Sequence, residues 1–239
     1  HDALPIVNGL GYDLRCGIVA GIDKAAADPA INAVVLIGND RAFSGGADIR
    51  EFGSPKAYAL PKLPTVIQIV ENCPKPVVAA ISGVCMGGGF ELTLGAHFRV
   101  AKPDAKIALP EVKLGLIPAC IGPFVIAKIG VSQARSLFVS GERFRGPKAK
   151  EIGLVHEVVK AGELEARAQA LLSNVLDGGP NAIEAAKFLV HTLSRDLVGQ
   201  DFHKSLEFAA GELARLRVMP EAQEGVTAFL EKRAPSWRA

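Results

Sequence analysis

Ala33-Val34-Val35-Leu36-Ile37-Gly38, followed by Arg41-Ala42-Phe43-Ser44-Gly45-Gly46-Ala47-Asp48-Ile49, joins an apolar run that reads as a buried strand to a glycine-rich turn. The pattern returns downstream. Val77-Val78-Ala79-Ala80-Ile81 reads as a second buried strand, Gly83 to Gly89 as a second small-residue turn, and a helix begins near Phe90. Small residues at such turns let a ligand approach bare backbone N–H groups, so two backbone donors can converge on one point. The helix N-terminus adds partial positive charge to the second donor, which suits an oxygen that becomes anionic during a reaction. Gly17 to Ala26 reads as a helix before the first of these units, and Pro64 to Asn72 as one between them. Strand and helix therefore alternate, which predicts an α/β fold with a mostly parallel sheet whose ligand site lies at the carboxyl ends of the strands.

Two carboxylates sit in apolar surroundings near these turns. Glu91 follows the triple glycine in Met86-Gly87-Gly88-Gly89-Phe90-Glu91-Leu92, and Glu111 closes Ala108-Leu109-Pro110-Glu111-Val112. A carboxylate among Leu, Val, Phe and Gly is costly to desolvate and needs a partner, a bound water or a chemical task. Either one alone reads equally well as a solvated helix-end charge, whereas the two together suggest an acid and a base. Glu91 falls in a first helical turn, where the dipole favours the anion, and Glu111 follows a proline in an apolar stretch that favours the neutral acid.

At these residues the chain resembles the enoyl-CoA hydratase/isomerase (crotonase) superfamily, and within it a monofunctional enoyl-CoA hydratase. The resemblance rests on Pro5-Ile6-Val7-Asn8-Gly9-Leu10, Phe43 to Ile49, Lys75-Pro76-Val77-Val78-Ala79-Ala80, Gly87 to Leu92, Leu109 to Pro118 and Glu231-Lys232-Arg233, in that order along nearly the whole chain. It implies a spiral of ββα repeats over residues 1–160, carrying the active site, and a helical C-terminal trimerisation region over 161–239. The family's oxyanion hole falls on the backbone N–H groups of Ala47 and Gly88, and its catalytic carboxylates fall on Glu91 and Glu111. Gly45, Gly46, Ala47, Asp48, Ile49, Gly87 and Lys232 are the implied substrate and CoA contacts. The Lys232 run by itself reads equally as a solvated helix-end charge. The implied reaction is hydration of a 2-enoyl-CoA, with Glu91 positioning and activating the water and Glu111 delivering the proton, or with the two roles shared through one water held between them. Isomerisation, retro-aldol cleavage or thioester hydrolysis on the same scaffold are the alternatives. No cofactor is implied beyond the CoA carried by the substrate, and the implied assembly is a homotrimer or a dimer of trimers.

Composition agrees with a single enzyme rather than a repeat or low-complexity protein: 239 residues, 49% hydrophobic, with 25 Gly and 15 Pro that indicate tight turns. A net charge of +2 offers no reason to expect nucleic acid or an anionic membrane as partner. The family's RNA-binding branch would show a comb of lysines on an early helix, where Asp13 to Ala27 has only Arg15 and Lys24. Cys16, Cys73, Cys85 and Cys120 are dispersed and suit core filling in a reducing compartment. His1, His97, His156, His191 and His203 lack metal-ligand spacing, so no metal is expected. The glycine turns lack both the Lys-Ser/Thr of a phosphate loop and a G-x-G-x-x-G helix opening. Ser44 and Ser82 lack the G-x-S-x-G setting of a serine nucleophile.

No apolar run is long enough to span a bilayer and no signal peptide is seen, which places the expected chain in the cytoplasm, or in an organelle matrix after removal of a targeting segment. The chain opens at His1, after the point where the family has its first strand, and ends at Ala239 with no length for a second catalytic domain. Gly53 to Pro64, with three prolines, reads as a loop that borders the acyl pocket or is a plain surface connection. Pro118-Ala119-Cys120-Ile121-Gly122-Pro123-Phe124 replaces a more glycine-rich family sequence and bears on pocket shape. From Glu163 to Lys232 the chain reads as helices, broken at Gly178-Gly179-Pro180 and Met219-Pro220.

Overall fold

The structure is a computed structural model that describes residues 7–51, 54–119, 122–160, 162–196, 208, 211–216 and 218–238. Two compact units are present, His1–Ala170 and Leu171–Ala239. Among the described residues the first contains eight strands: β1 (Val34–Ile37), β2 (Ala42–Ser44), β3 (Val77–Ile81), β4 (Val84–Met86), β5 (Phe98–Ala101), β6 (Lys106–Ala108), β7 (Arg143–Arg145) and β8 (Glu157–Val158). They form two four-stranded sheets rather than one. The first, in the order β1-β3-β5-β8, is parallel throughout. The second, in the order β2-β4-β6-β7, is parallel except for its last pair.

Each turn of the chain lays one strand in each sheet and then makes helix before the next turn, which is the ββα spiral. β1 and β2 are followed by α2 (Pro55–Tyr58) and α3 (Leu63–Glu71), while β3 and β4 are followed by α4 (Gly88–Gly95). The helix that precedes them, α1, spans Tyr12–Ala27. All five residues of β3 are buried, without alternation, as befits a strand covered on both faces. In α3, Pro64 occupies the first turn, where its missing N–H is harmless, and Val66, Ile67 and Val70 are fully buried. Every residue of α4 is buried, so this helix has no solvated face.

Four expected boundaries move, each for a reason outside the local sequence. Val84–Met86, expected within a turn, is a strand because it pairs with β2 on one side and β6 on the other. Ala42–Ser44 is likewise a strand, so each glycine turn is shorter than expected. α4 begins at Gly88 rather than Phe90. α1 begins at Tyr12 rather than Gly17, because both Glu51 carboxylate oxygens accept the Tyr12 N–H at 3.0 Å and cap a helix that has no side-chain cap of its own. In the proline-rich Gly53 to Pro64 segment, where Gly53 is outside the described residues, α2 forms a short helix.

Arg15, one of the two basic residues of α1, turns inward. It donates to the carbonyls of Leu10, Lys56 and Pro61 at 2.9–3.1 Å and ties α1 to the α2 segment. In the second unit, helices span Pro180–His191 and Pro220–Glu231, opening after Gly179 and Met219 as the sequence suggested. Among the described residues no helix is long and apolar enough to cross a membrane.

Replacing Glu51 with Ala removes the cap of α1 and the carboxylate beside Arg15. We expect a loss of about 1–2 kcal/mol in urea unfolding, with faster amide exchange at Tyr12. A Glu51→Ala protein as stable as the parent would show that α1 needs no tertiary cap.

Candidate active site

β2, β4 and β6 lie side by side and parallel, so their carboxyl ends arrive at one edge of the sheet. β2 ends at Ser44 and leads into Gly45-Gly46-Ala47. β4 ends at Met86 and leads into Gly87-Gly88, and β6 ends at Ala108 and leads through Leu109-Pro110 to Glu111. A hydrogen bond from Gly87 N–H to the Ala108 carbonyl, 3.0 Å, ties the second of these turns to the third.

The first two turns bring their amides together. A Cβ built on Gly88 would lie 3.2 Å from the Ala47 nitrogen, and one built on Gly46 would lie 3.5 Å from the Gly88 nitrogen. Among the described residues neither the Ala47 nor the Gly88 N–H donates to another backbone group. Gly88 is the first residue of α4, so its N–H has no partner within the helix. Backbone conformation makes the approach possible. Gly46 has φ 105° and Gly87 has φ 47°, and a side chain at either would also strike the Met86 carbonyl or the Glu111 carboxylate.

The two carboxylates join the same place. Glu111 opens a 3-10 turn (Glu111–Leu114), with its Oε1 2.8 Å from the Cβ position above Gly87. Its Oε2 is buried and meets no hydrogen-bond partner among the described residues. Glu91 stands in the first turn of α4 and is 5% exposed. Burial, and then the negative charge of Glu111, push the Glu91 pKa up to about 8. Burial also raises that of half-buried Glu111, against the pull of its own backbone N–H.

This reverses the expected ionisation. A helix N-terminus favours an anion by at most ~2 kcal/mol, whereas desolvating a carboxylate costs several. Burial therefore outweighs the dipole at Glu91, and the more buried member of the pair is the one that keeps a proton near neutral pH. The negative charge of Glu111 adds to burial in holding that proton on Glu91.

The remaining sequence candidates divide clearly. Asp48 and Ile49 continue from Ala47, but the Asp48 carboxylate is taken by the Arg50 guanidinium at 2.6 and 2.8 Å, which holds it below the usual carboxylate range. Ile49 is half exposed. Lys232 belongs to the second unit, where it closes the Pro220–Glu231 helix with φ 54°. The imidazole Nδ1 atoms of His97 and His156 accept the Val77 and Arg99 N–H groups, and His156 is pushed down to about 4 by burial and by Arg99. Cys73 and Cys85 are buried, and burial pushes the Cys85 thiol far up. Cys120 lies outside the described residues, as do His1, His203, Pro5 and Ile6. Among the described residues no three His, Cys, Asp or Glu side chains could hold a metal.

Sequence reasoning missed Asn8. Its left-handed backbone, φ 52°, is a conformation that Asn tolerates better than most residues, and its Nδ2 donates to the carbonyls of Ala42 and Phe43 at 3.1 Å. The segment around it is stitched to the first site turn by Leu10 N–H to Gly46 O, 2.8 Å, and Gly45 N–H to Val7 O, 2.9 Å.

Residues 4–239 match the enoyl-CoA hydratase/isomerase family. A probable enoyl-CoA hydratase of Bacillus subtilis (strain 168) is 32% identical over 241 residues, covering 98% of this chain and 92% of that protein. A crotonyl-CoA hydratase of Syntrophomonas wolfei subsp. wolfei is 30% identical, covering 95% of this chain and 88% of that protein. The solved structure of an enoyl-CoA hydratase from Bacillus anthracis has a TM-score of 0.86 and 31% identity, covering 95% of this chain and 89% of that one. Given this match along the chain and the ββα spiral that accompanies it, the chain belongs to the enoyl-CoA hydratase/isomerase family.

Proposed function

We propose that this site adds water across the 2,3-double bond of a 2-enoyl-CoA thioester to give a 3-hydroxyacyl-CoA. The observation that carries the reading is the convergence of the Ala47 and Gly88 backbone N–H groups, which donate to no backbone partner among the described residues, beside the carboxyl groups of Glu91 and Glu111. As the water oxygen bonds to C3, the π electrons move onto the thioester oxygen, which the two N–H groups stabilise. Losing one such donor costs roughly 3–4 kcal/mol of barrier in other enzymes. Water gives a proton to the anionic carboxylate while the neutral one supplies a proton to C2, and the pair ends with the proton count it began with. Burial, deeper at Glu91, favours Glu91 as the neutral partner, where the sequence suggested Glu111.

In this reading Gly45, Gly46, Ala47, Asp48, Ile49 and Gly87 border the thioester end of the substrate. We further propose that subunits associate as trimers, single or paired. The support is the Pro220–Glu231 helix, which leaves Phe229 82% and Leu230 73% exposed, more apolar surface than a solvated helix normally carries.

Loss of the conjugated enoyl-thioester absorbance with crotonyl-CoA tests the reaction. Glu91→Gln and Glu111→Gln should each slow it by about two to four orders of magnitude. Near-normal hydration in either variant removes that residue from the mechanism, and an inactive parent that binds the thioester points to another reaction of the family.

The pH dependence has a definite sign. Because the folded Glu91 pKa of about 8 lies above its usual 4.5, the unfolded chain gives up this proton first as pH rises. Stability contributed by the neutral acid is complete below about 4.5, declines as pH rises to about 8 and then levels off. The total is a few kcal/mol at ~1.4 kcal/mol per pH unit. Urea unfolding across this range should show the slope in the parent and a flatter curve in Glu91→Gln, and kcat should fall above pH about 8. Equal slopes in the two proteins would contradict a raised pKa at Glu91.

Light scattering should give a trimer or hexamer mass, and Phe229→Asp should lower it. A monomeric parent at micromolar concentration would defeat the assembly proposal.

A further inference from the structure

Ser44 is 2% exposed and its hydroxyl is committed on both sides: it donates to the Asn8 carbonyl at 2.7 Å and accepts the Gly46 N–H at 3.2 Å. The consequence lies one residue further on. A trans peptide is planar, with its C=O and N–H pointing in opposite directions. The Gly46 carbonyl accepts the Leu10 N–H, so the Ala47 N–H of the same peptide plane points away from Leu10. The preceding plane, which carries the Gly46 N–H, is held by the Ser44 hydroxyl. Between the two planes stands a glycine at φ 105°, the residue with the widest range of backbone conformations, so the aim of the Ala47 N–H depends on both anchors.

Ser44 also touches the other donor turn. A Cβ built on Gly89 would lie 2.5 Å from Ser44 Cβ and 2.7 Å from its Oγ, so the first turn of α4 packs directly on this side chain. Gly88, the second donor, is the neighbour of Gly89 in that turn. We propose that Ser44 is a positioning residue for the thioester oxygen site: its hydroxyl orients the Ala47 N–H and its bulk sets the spacing to the Gly88 N–H. The inference rests on the oxyanion reading of these two amides. It also explains why this serine is no nucleophile, since its proton and a lone pair are already in use.

Ser82 supplies the control. It is 3% exposed and its hydroxyl donates to the Asn39 carbonyl at 2.8 Å, with no hydrogen bond from that hydroxyl to either donor turn among the described residues. Ser44→Ala, Ser44→Cys and Ser82→Ala are compared for thermal midpoint, for crotonyl-CoA kinetics and for the absorbance of bound para-dimethylaminocinnamoyl-CoA, whose conjugated carbonyl shifts to the red when polarised. Ser44→Ala should lower kcat about tenfold or more with KM changed by less than about twofold, and should shrink the red shift. Ser44→Cys, which keeps bulk with a weaker hydrogen-bonding group, should be intermediate and covers the case in which the alanine variant folds poorly. Ser82→Ala should lose comparable thermal stability while keeping the kcat and red shift of the parent. An unchanged kcat and red shift in Ser44→Ala, or equal losses in Ser82→Ala, would overturn the assignment. The red shift needs no turnover, so a parent that polarises the probe without hydrating crotonyl-CoA would refute the hydratase reading while Ser44 remained tested.

Discussion

Parallel neighbours in a sheet run the same way, so the chain leaves all of them at the same edge, and in the β2-β4-β6 ladder this places three short connections side by side. Everything chemically interesting in the first unit hangs on that edge. The Ala47 amide follows β2, the Gly88 amide follows β4, and Glu111 follows β6. Glu91 is delivered by the first turn of the helix that β4 feeds. The other sheet, β1-β3-β5-β8, contributes no group to the site but fixes the pitch of the spiral, because each of its strands is joined through the chain to one in the ladder. A site built this way tolerates little slippage, since a one-residue shift of β4 would move Gly87 and Gly88 away from Ala47 and Glu111 together.

Low polarity around the carboxylates decides their state. Glu91 sits on a helix whose eight residues are all buried, and a second carboxylate is close enough to repel it. In water both would be ionised at neutral pH. Here the cost of desolvation exceeds what a helix terminus returns, and Glu91 keeps its proton near neutral pH. In the proposed reaction the same dry setting strengthens the Ala47 and Gly88 amides, because a fixed dipole acts more strongly where no water screens it. The proposed acid, base and oxyanion donors thus share a single physical cause.

The donors also need to be held still. Much of that work falls to the segment from Val7 to Tyr12, which is laid along the first site turn by backbone hydrogen bonds at Gly45 and Gly46 and by the hydroxyl of Ser44. Glu51, a few residues beyond Ala47, closes the other end by capping α1, and Arg15 carries the connection onward to the α2 segment. Glycine gives the turn its reach and these contacts remove the freedom that glycine brings.

Apolar runs and glycine punctuation are local properties, and for that reason the sequence by itself determined β1, β3, the helices that open after Gly179 and Met219, the alternation of strand and helix, and the two turns that carry Ala47 and Gly88. Glu91 and Glu111 stood out for the same reason, as charges in apolar company. Tertiary structure alone decided what depends on a distant partner. Val84–Met86 is a strand only because β2 and β6 flank it, α1 starts at Tyr12 only because Glu51 reaches it, and the strands form two sheets only because the spiral closes. The protonation of Glu91 belongs to this second group: the helix dipole is visible in a sequence, whereas the burial that overrides it and the nearness of Glu111 arise only when the chain folds.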